Sequence, residues 1–194
     1  VYIGMRLCRL LVPGWRGPVA WTGIAVCTTV TALVTAELLG SFGLYRGWVF
    51  LALAVIAALA LWRWLPESGE GGGVELVHMP ASAWMTWFGL CVAAVAIAVF
   101  AVGVRVKLGT GMTGFDSTWY HGPFAAGFAD SGNTFQLHQL APQFLTWFYP
   151  QNSELIHSMG MLAFGNDLLS PLINLGWMVA CLLAAWCIGR PYGG

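Results

Sequence analysis

The sequence predicts an all-α integral membrane protein with about four transmembrane helices and amphipathic helices in a long loop outside the membrane. Hydrophobic residues make up 58% of the 194 residues and charged residues only 8%, whereas soluble globular domains carry roughly 25% charged residues. Several apolar stretches also reach the length of about 20 residues that a helix needs to cross the hydrocarbon core. Water is therefore not the main solvent of this chain.

The charge balance and the cysteines exclude several classes of function. Eight basic and eight acidic residues give a formal net charge of zero. Because no basic cluster or nucleic-acid motif is present, no nucleic-acid partner is expected. Four of the five cysteines lie inside apolar runs, at spacings that fit neither a zinc motif nor a redox pair. We interpret all five as small buried hydrophobic residues.

The apolar stretches predict spans at residues 19–39, 48–65, 83–104 and 168–188. The first is expected to stay as an anchor, because its apolar run exceeds the roughly 7–15 residues of a cleaved signal peptide. The last contains Pro171 and Asn174 near its start. Proline is tolerated there because the first helical turn offers its backbone nitrogen no partner.

Arginine and lysine in the short loops predict the orientation, because cytoplasmic loops carry an excess of these residues. One side of the membrane would hold Arg6, Arg9, Arg16, Arg63 and Arg190, and the other Arg46, Arg105 and Lys107. The first side is predicted to be cytoplasmic. Both termini would then lie in the cytoplasm of a cell whose plasma membrane the chain crosses.

A glycine-rich stretch divides the chain into three parts. Residues 1–65 form a helical hairpin of two spans, and residues 66–82, with the core PESGEGGG, form a flexible cytoplasmic linker. Residues 83–194 contain one span, a loop from 105 to 167 outside the cytoplasm, and the last span. That loop holds three of the four histidines and four of the eight acidic residues, so any chemistry is expected there.

The loop is predicted to contain short amphipathic helices at residues 117–129, 143–148 and 153–164, lying along the membrane surface. Tyr120, Phe124 and Phe128 are spaced four residues apart and therefore form one aromatic stripe. Such a stripe is typical of segments that are anchored at a membrane interface.

Asp116 is the most prominent polar residue of the loop, because it stands just outside a span and at the start of a helix. The position fits an ordinary N-cap, and a capped carboxylate is also held in one orientation for chemistry. Asp116 and His121 do not predict a metal site, because residues five apart do not share an α-helical face and no third ligand is near.

Other polar residues have structural interpretations. His138 and His157 stand alone in the sequence and are expected to form hydrogen bonds at the interface. Glu154 fits the first turn of its helix, where the helix dipole favours an acid. Glu37, near the end of the first span, is expected to pair with Arg46 across the short loop.

A likeness to a known family begins with the run GFDSTWYHGPFAAGFADSG. It resembles the first extracytoplasmic loop of bacterial GT-C glycosyltransferases, in the branch related to family 39 protein mannosyltransferases. The recognisable cluster is Asp116, Tyr120, His121, Pro123 and Phe124. The later run YPQNSELIHSMGMLAFGNDLLSPLINLGW resembles the second surface helix and the next span, and ELLGSFGLYRG resembles the leading hairpin of some actinobacterial members.

The resemblance implies a reaction. A sugar would pass from a polyprenyl-phosphate donor to an acceptor hydroxyl on the extracytoplasmic face, with inversion and without a cofactor. Asp116 would be the general base that takes the hydroxyl proton. The leaving lipid phosphate would be bound by Tyr120, His121, Arg105 and Lys107.

The chain also departs from this family, whose members carry more spans after the loop. It would then be the front part of such an enzyme, a subunit completed by a second polypeptide, or a reduced protein. We expect the isolated chain to insert in membranes but to turn over no donor alone. The alternative function is a non-catalytic membrane subunit or scaffold that keeps the GT-C-like architecture. A channel or transporter is disfavoured, because no acid or base lies near the middle of a span.

Overall fold

The computed structural model describes residues 1–64, 82–135 and 151–190, and within these ranges the chain is helical and contains no strand. This confirms the predicted all-α class. The helices are α1 (Tyr2–Leu11), α2 (Gly17–Ser41), α3 (Gly47–Trp64), α4 (Ala83–Thr110), a π-helical turn (Ser117–His121), α5 (Gly122–Ser131), α6 (Asn152–Phe164) and α7 (Ser170–Gly189).

Four of the described helices, α2, α3, α4 and α7, are long and apolar enough to cross a membrane. Each overlaps one predicted span. Pro171 lies in the first turn of α7, where proline costs no hydrogen bond. The linker predicted at 66–82 lies outside the described residues except for Ser82, and the helix predicted at 143–148 and His138 lie wholly outside them.

These four long apolar helices alternate in direction. The first turns of α2 lie against the end of α7, where Thr22 Oγ1 and Cys187 Sγ are 3.6 Å apart. The end of α4 meets the beginning of α7, since Lys107 and Asn174 line one small cavity. The ends of α2 and α4 and the beginnings of α3 and α7 therefore share one end of the bundle. Helices α5 and α6 lie there, and we call it the α5–α6 end.

Helix α1 was not predicted, because its ten residues are too few for a span and include two arginines. It packs along α2, with Gly4 against Thr28. Arg6 is buried, at 6% exposure, and donates a 3.4 Å hydrogen bond to the carbonyl oxygen of Leu61 in the last turn of α3. The arginine thereby joins α1 to the last described turn of α3.

The buried core lies at the α5–α6 end and consists of Ala36, Leu39, Tyr45, Phe124, Phe128 and Leu155. Phe124 and Phe128 are each 1% exposed, and Tyr120 packs against the same cluster. The aromatic stripe is therefore buried between helices of the protein. Its interpretation as a membrane anchor was wrong, because the spacing predicts an apolar face but not the surface that covers it.

Tyr45, in the turn between α2 and α3, joins that turn to α5 and α6. Its side chain is fully buried, its backbone N–H donates to the Gly132 carbonyl at 3.0 Å, and its hydroxyl lies 2.7 Å from Ser158 Oγ. Burial raises the pKa of Tyr45 to about 12, while the Ser158 hydrogen bond acts in the opposite direction. The phenol is therefore a neutral hydrogen-bonding group at the centre of the core.

The predicted pair of Glu37 and Arg46 was wrong. Arg46 donates to the carbonyl oxygens of Asp130 at 2.8 Å and Ser131 at 3.0 Å, and Glu37 accepts a hydrogen bond from Thr134 Oγ1 at 3.5 Å. The carbonyls at the end of a helix lack internal partners and carry partial negative charge. The end of α5 thus binds the guanidinium.

Candidate functional site

A cavity of about 530 Å³ lies at the α5–α6 end, where the π-helical turn, α6 and the beginning of α7 meet. Its polar lining includes Ser117, His121, Ser153, His157, Asp167 and Asn174. These side chains come from four separate parts of the chain. The cavity is thus the place where the fold gathers polar groups beside the ends of the spans.

The π-helical turn sets the position of His121. The N–H of Gly122 donates to the Ser117 carbonyl, five residues earlier, which adds one residue to the turn. Glycine is needed at position 122, because a side-chain carbon there would lie 2.5 Å from the Ser117 carbonyl oxygen. Turns of this kind occur often at functional sites. The α-helical spacing that separated Asp116 from His121 does not apply across it.

His121 is hydrogen-bonded through Nδ1 to Oε1 of Glu154. The Glu154 side chain is 4% exposed, and its other carboxylate oxygen accepts a 2.8 Å hydrogen bond from Ser153 Oγ. A buried carboxylate is costly unless such partners satisfy it. Glu154 does lie in the first turn of α6, as predicted. The sequence did not predict its burial or its histidine partner.

His157, one turn further along α6, lines the same cavity. Its Nδ1 atom is buried and has no hydrogen-bond partner among the described residues. Burial lowers the pKa of His157, and the neighbouring Glu154 charge acts in the opposite direction. His157 is therefore a neutral imidazole near pH 7, with one donor and one acceptor.

Asp167 closes the cavity on the side of α4. Its Oδ2 atom accepts a 3.1 Å hydrogen bond from the backbone N–H of Met112, and its carbonyl accepts one from the Ser170 N–H at 2.9 Å. The exit of α4 is thereby tied to the entry of α7. Gly111, beside this contact, has a φ of 76°, a conformation that glycine adopts without strain.

Asp116, the predicted base, is exposed and is not one of the described residues that line the cavity. Its backbone angles are helical, at φ −62° and ψ −36°, and within the described ranges its side chain makes no capping hydrogen bond. The N-cap interpretation was wrong, because the helix already begins before Asp116. The next residue, Ser117, does line the cavity.

The four residues predicted to bind the phosphate are divided between two places. His121 lines the polar cavity, and the Tyr120 ring is stacked at a tilt beside it, with ring centroids 4.1 Å apart. Arg105 and Lys107 are exposed near the end of α4. Lys107 lines a second, smaller cavity of about 190 Å³.

This smaller cavity, which we call the α4–α7 groove, is mostly apolar. It is lined by Val99, Phe100, Gly103, Val104, Lys107, Pro171 and Asn174. Asn174 also lines the polar cavity. Asn174 is therefore common to both linings, and we call this shared position the junction; the groove also holds a lysine and the polar cavity a histidine.

Sequence analysis missed Glu154 and Asn174 as site residues. The signal for Glu154 was weak, because an acid in a first helical turn is common. Asn174 was noted only as an interruption of the last span, although a polar residue near the start of a span can face a cavity.

Comparison with known proteins adds no relative: the chain matches no protein-family model, no curated protein and no solved structure. Within the described ranges, no three His, Cys, Asp or Glu side chains are grouped so that they could hold a metal ion. The fold and the site define an all-α protein of membrane type, with a polar cavity beside the ends of its spans.

Proposed function

We propose that this chain is a membrane glycosyltransferase, or a part of one, that uses a polyprenyl-phosphate sugar and transfers the sugar to an acceptor hydroxyl with inversion. The observation that carries the proposal is the junction at Asn174 between a polar cavity and an apolar groove. A polyprenyl phosphate has the same division, since an anionic head is joined to a long apolar tail. The GT-C-like residues of the loop support the same class of donor.

The phosphate of the donor would lie near the junction. Lys107 carries a positive charge there, Asn174 offers an amide donor, and a protonated His121 would donate from Nε2 while its Nδ1–H donates to Glu154. Hydrogen bonds from charged donors to phosphate oxygens are short and strong. As the bond to the sugar breaks, negative charge grows on the phosphate, and these donors would stabilise it.

The lipid tail would follow the α4–α7 groove. Val99 and Gly103 lie one turn apart on α4, and Pro171 faces them from α7. Nothing in that lining before Lys107 is charged, so burying isoprene units there removes apolar surface from water at a gain of roughly 25 cal/mol per Å².

Asp116 remains the proposed base. Its carboxylate is exposed and precedes Ser117 of the cavity, so an acceptor that arrives from water can reach it. The carboxylate would take the hydroxyl proton while the acceptor oxygen attacks the anomeric carbon. The bond between that carbon and the phosphate oxygen breaks, and the lipid phosphate leaves. General base catalysis of this type contributes about 10²–10⁴-fold.

We further propose that the α5–α6 end faces outward from the plasma membrane and that both termini are cytoplasmic. The support is the distribution of arginine, with Arg63 and Arg190 at the ends of α3 and α7 away from α5 and α6. In this orientation the acceptor would be a molecule of the cell envelope.

The proposal is tested by binding of a polyprenyl phosphate to purified protein in lipid nanodiscs, measured by native mass spectrometry. The matched ligand is the polyprenol of equal length without phosphate. We expect saturable binding of the phosphate form only, weakened by His121→Ala and by Lys107→Gln and retained by Asp116→Asn. Lys107 is exposed, so its replacement does not disturb the core.

Equal, non-saturable uptake of both lipids would contradict the proposal. The alternative of a non-catalytic subunit or scaffold would then be favoured.

A further inference from the structure

We infer that Glu154 is a positioning residue, which holds the His121 ring with the proton on Nδ1 and thereby presents Nε2 to the ligand of the cavity. The identity of that ligand, a lipid phosphate, rests on the proposed function. The position of the proton on the ring does not, because it is set by contacts within the protein.

The hydrogen bonds of Glu154 define the direction of the contact. An ionised carboxylate only accepts hydrogen bonds, so the Nδ1 atom of His121 must be the donor to Oε1. The second oxygen is occupied by Ser153 Oγ at 2.8 Å. Which ring nitrogen of a histidine carries the proton is set by the partner of the other one. The tautomer of His121 is therefore fixed by Glu154.

The two side chains of this pair differ in their exposure to solvent. The Glu154 side chain is 4% exposed, whereas the His121 side chain is 42% exposed and lines the cavity. The carboxylate thus lies behind the ring and the ring faces the cavity. A ligand that enters the cavity reaches the histidine and not the acid.

The cost of this arrangement argues for a role beyond packing. The Glu154 side chain is almost completely buried, so a hydrophobic side chain at position 154 would also be removed from water. Replacing a buried ion pair by packed hydrophobic residues is often neutral or stabilising. A buried carboxylate kept behind a cavity-lining histidine is the arrangement that orients histidines at many functional sites.

The neighbouring His157 offers a contrast within the same cavity. Its Nδ1 atom is buried and has no partner in the described part of the chain, so no acid fixes that ring. With Nδ1–H of His121 bound to Glu154, Nε2 donates to a phosphate oxygen when the ring is protonated, and the Glu154 carboxylate balances the charge of that ring. Glu154 makes no contact with the lipid in this scheme and acts through the ring.

The test is nuclear magnetic resonance of ¹⁵N-histidine-labelled protein in nanodiscs, together with binding of a polyprenyl phosphate. In the unaltered protein without ligand, the neutral His121 ring is expected to carry its proton on Nδ1, and with bound polyprenyl phosphate both ring nitrogens should carry a proton. Glu154→Leu should shift the neutral proton toward Nε2 and weaken binding by about tenfold, because the protonated ring then lacks the carboxylate that balances its charge. Glu154→Gln keeps an oxygen that can accept from Nδ1, so it should retain the tautomer and bind more tightly than Glu154→Leu. The His157 signals serve as the internal control.

A His121 ring with its neutral proton on Nε2 in the unaltered protein would overturn the inference, and no variant is needed for that result. An unchanged His121 tautomer in folded Glu154→Leu would overturn it as well. If the ring behaves as expected but the unaltered protein binds no polyprenyl phosphate, the positioning role stands and the proposed function fails. The two failures are thus distinguishable.

Discussion

His121 and Glu154 are 33 positions apart in the sequence, and the hydrogen bond between Nδ1 and Oε1 joins them at the wall of the polar cavity. The histidine ends the π-helical turn and the acid lies in the first turn of α6. The contact therefore fixes these two surface helices to each other. It also connects a buried carboxylate with the cavity through one imidazole ring.

This pair predicts a strongly non-additive effect on stability. His121→Ala leaves the buried Glu154 carboxylate without its principal donor and should lower the free energy of unfolding by about 2 kcal/mol. The double variant His121→Ala/Glu154→Leu should recover most of that loss, because no unpaired charge remains. Unfolding by sodium dodecyl sulfate in mixed micelles measures both values. Losses that simply add would argue against a coupled pair.

Tyr45 and Ser158 predict a second coupled contact. Tyr45→Phe removes the hydroxyl that lies 2.7 Å from Ser158 Oγ and should cost about 1 kcal/mol in the free energy of unfolding. Ser158→Ala should cost a similar amount, and the double variant less than the sum of the two. Tyr2→Phe, at a tyrosine that is 37% exposed, is the matched control and should have little effect.

The raised pKa of Tyr45 gives this contact a pH dependence at alkaline pH. The folded-state pKa is about 12, against an ordinary value of 10.0. The stabilising contribution is complete below pH 10 and is lost as the pH rises through the folded-state value. The difference in stability between the unaltered protein and Tyr45→Phe should therefore shrink above pH 10. A difference that grows in this range would contradict the assigned burial.

His157 predicts a pH dependence of the opposite sign. Burial lowers its pKa in the folded protein, so the unfolded chain binds the proton more tightly. Its effect is absent above the ordinary histidine value of about 6.5, and stability falls as the pH drops below that value. Between about pH 6.5 and 5, the His157→Gln variant should therefore lose less stability than the unaltered protein, as measured by thermal unfolding. Parallel losses in both proteins would exclude this contribution.

The close contact between Gly4 and Thr28 is expected to hold α1 against α2. A side-chain carbon at Gly4 would lie 2.0 Å from Thr28 Oγ1 and 2.7 Å from the Thr28 backbone nitrogen. Gly4→Ala should therefore push α1 away from α2 and expose Cys8, which is 3% exposed in the native fold. The rate of maleimide labelling, in a protein with Cys8 as its sole cysteine, should rise several-fold.

Gly89→Ala is the control for that experiment, because no described atom lies within 4 Å of a side-chain carbon at Gly89. Equal labelling of Cys8 in both glycine variants would show that the close contact at Thr28 does not hold α1.

The four long apolar helices could be predicted from the sequence because they depend on one property, a sufficient length of apolar residues. The two described surface helices were also predicted, at 117–129 and 153–164. The hydrophobic face of the first one was identified, as the buried Phe124 and Phe128 show. What covers a face depends on the packing of distant elements, so the destination of the aromatic stripe could not be derived from its spacing.

The polar contacts were harder to predict, because they depend on geometry that develops only in the fold. Arg46 binds carbonyls at the end of α5 and not the Glu37 carboxylate, since a helix end offers several acceptors together. The π-helical turn changes the spacing between Asp116 and His121, and no residue pattern marked it in advance. In the sequence, Glu154 is an ordinary acid in a first helical turn, and only the fold shows its contact with His121.

The central claim is that the lipid phosphate lies at the junction of the polar cavity and the α4–α7 groove. The most direct measurement is photocrosslinking in nanodiscs with a polyprenyl phosphate that carries a diazirine in its first isoprene units. The label should fall on groove residues such as Val99, Gly103 and Pro171, disappear with excess unlabelled polyprenyl phosphate, and weaken in Lys107→Gln. Label that falls mainly on α2 and α3 and resists the competitor would contradict the claim.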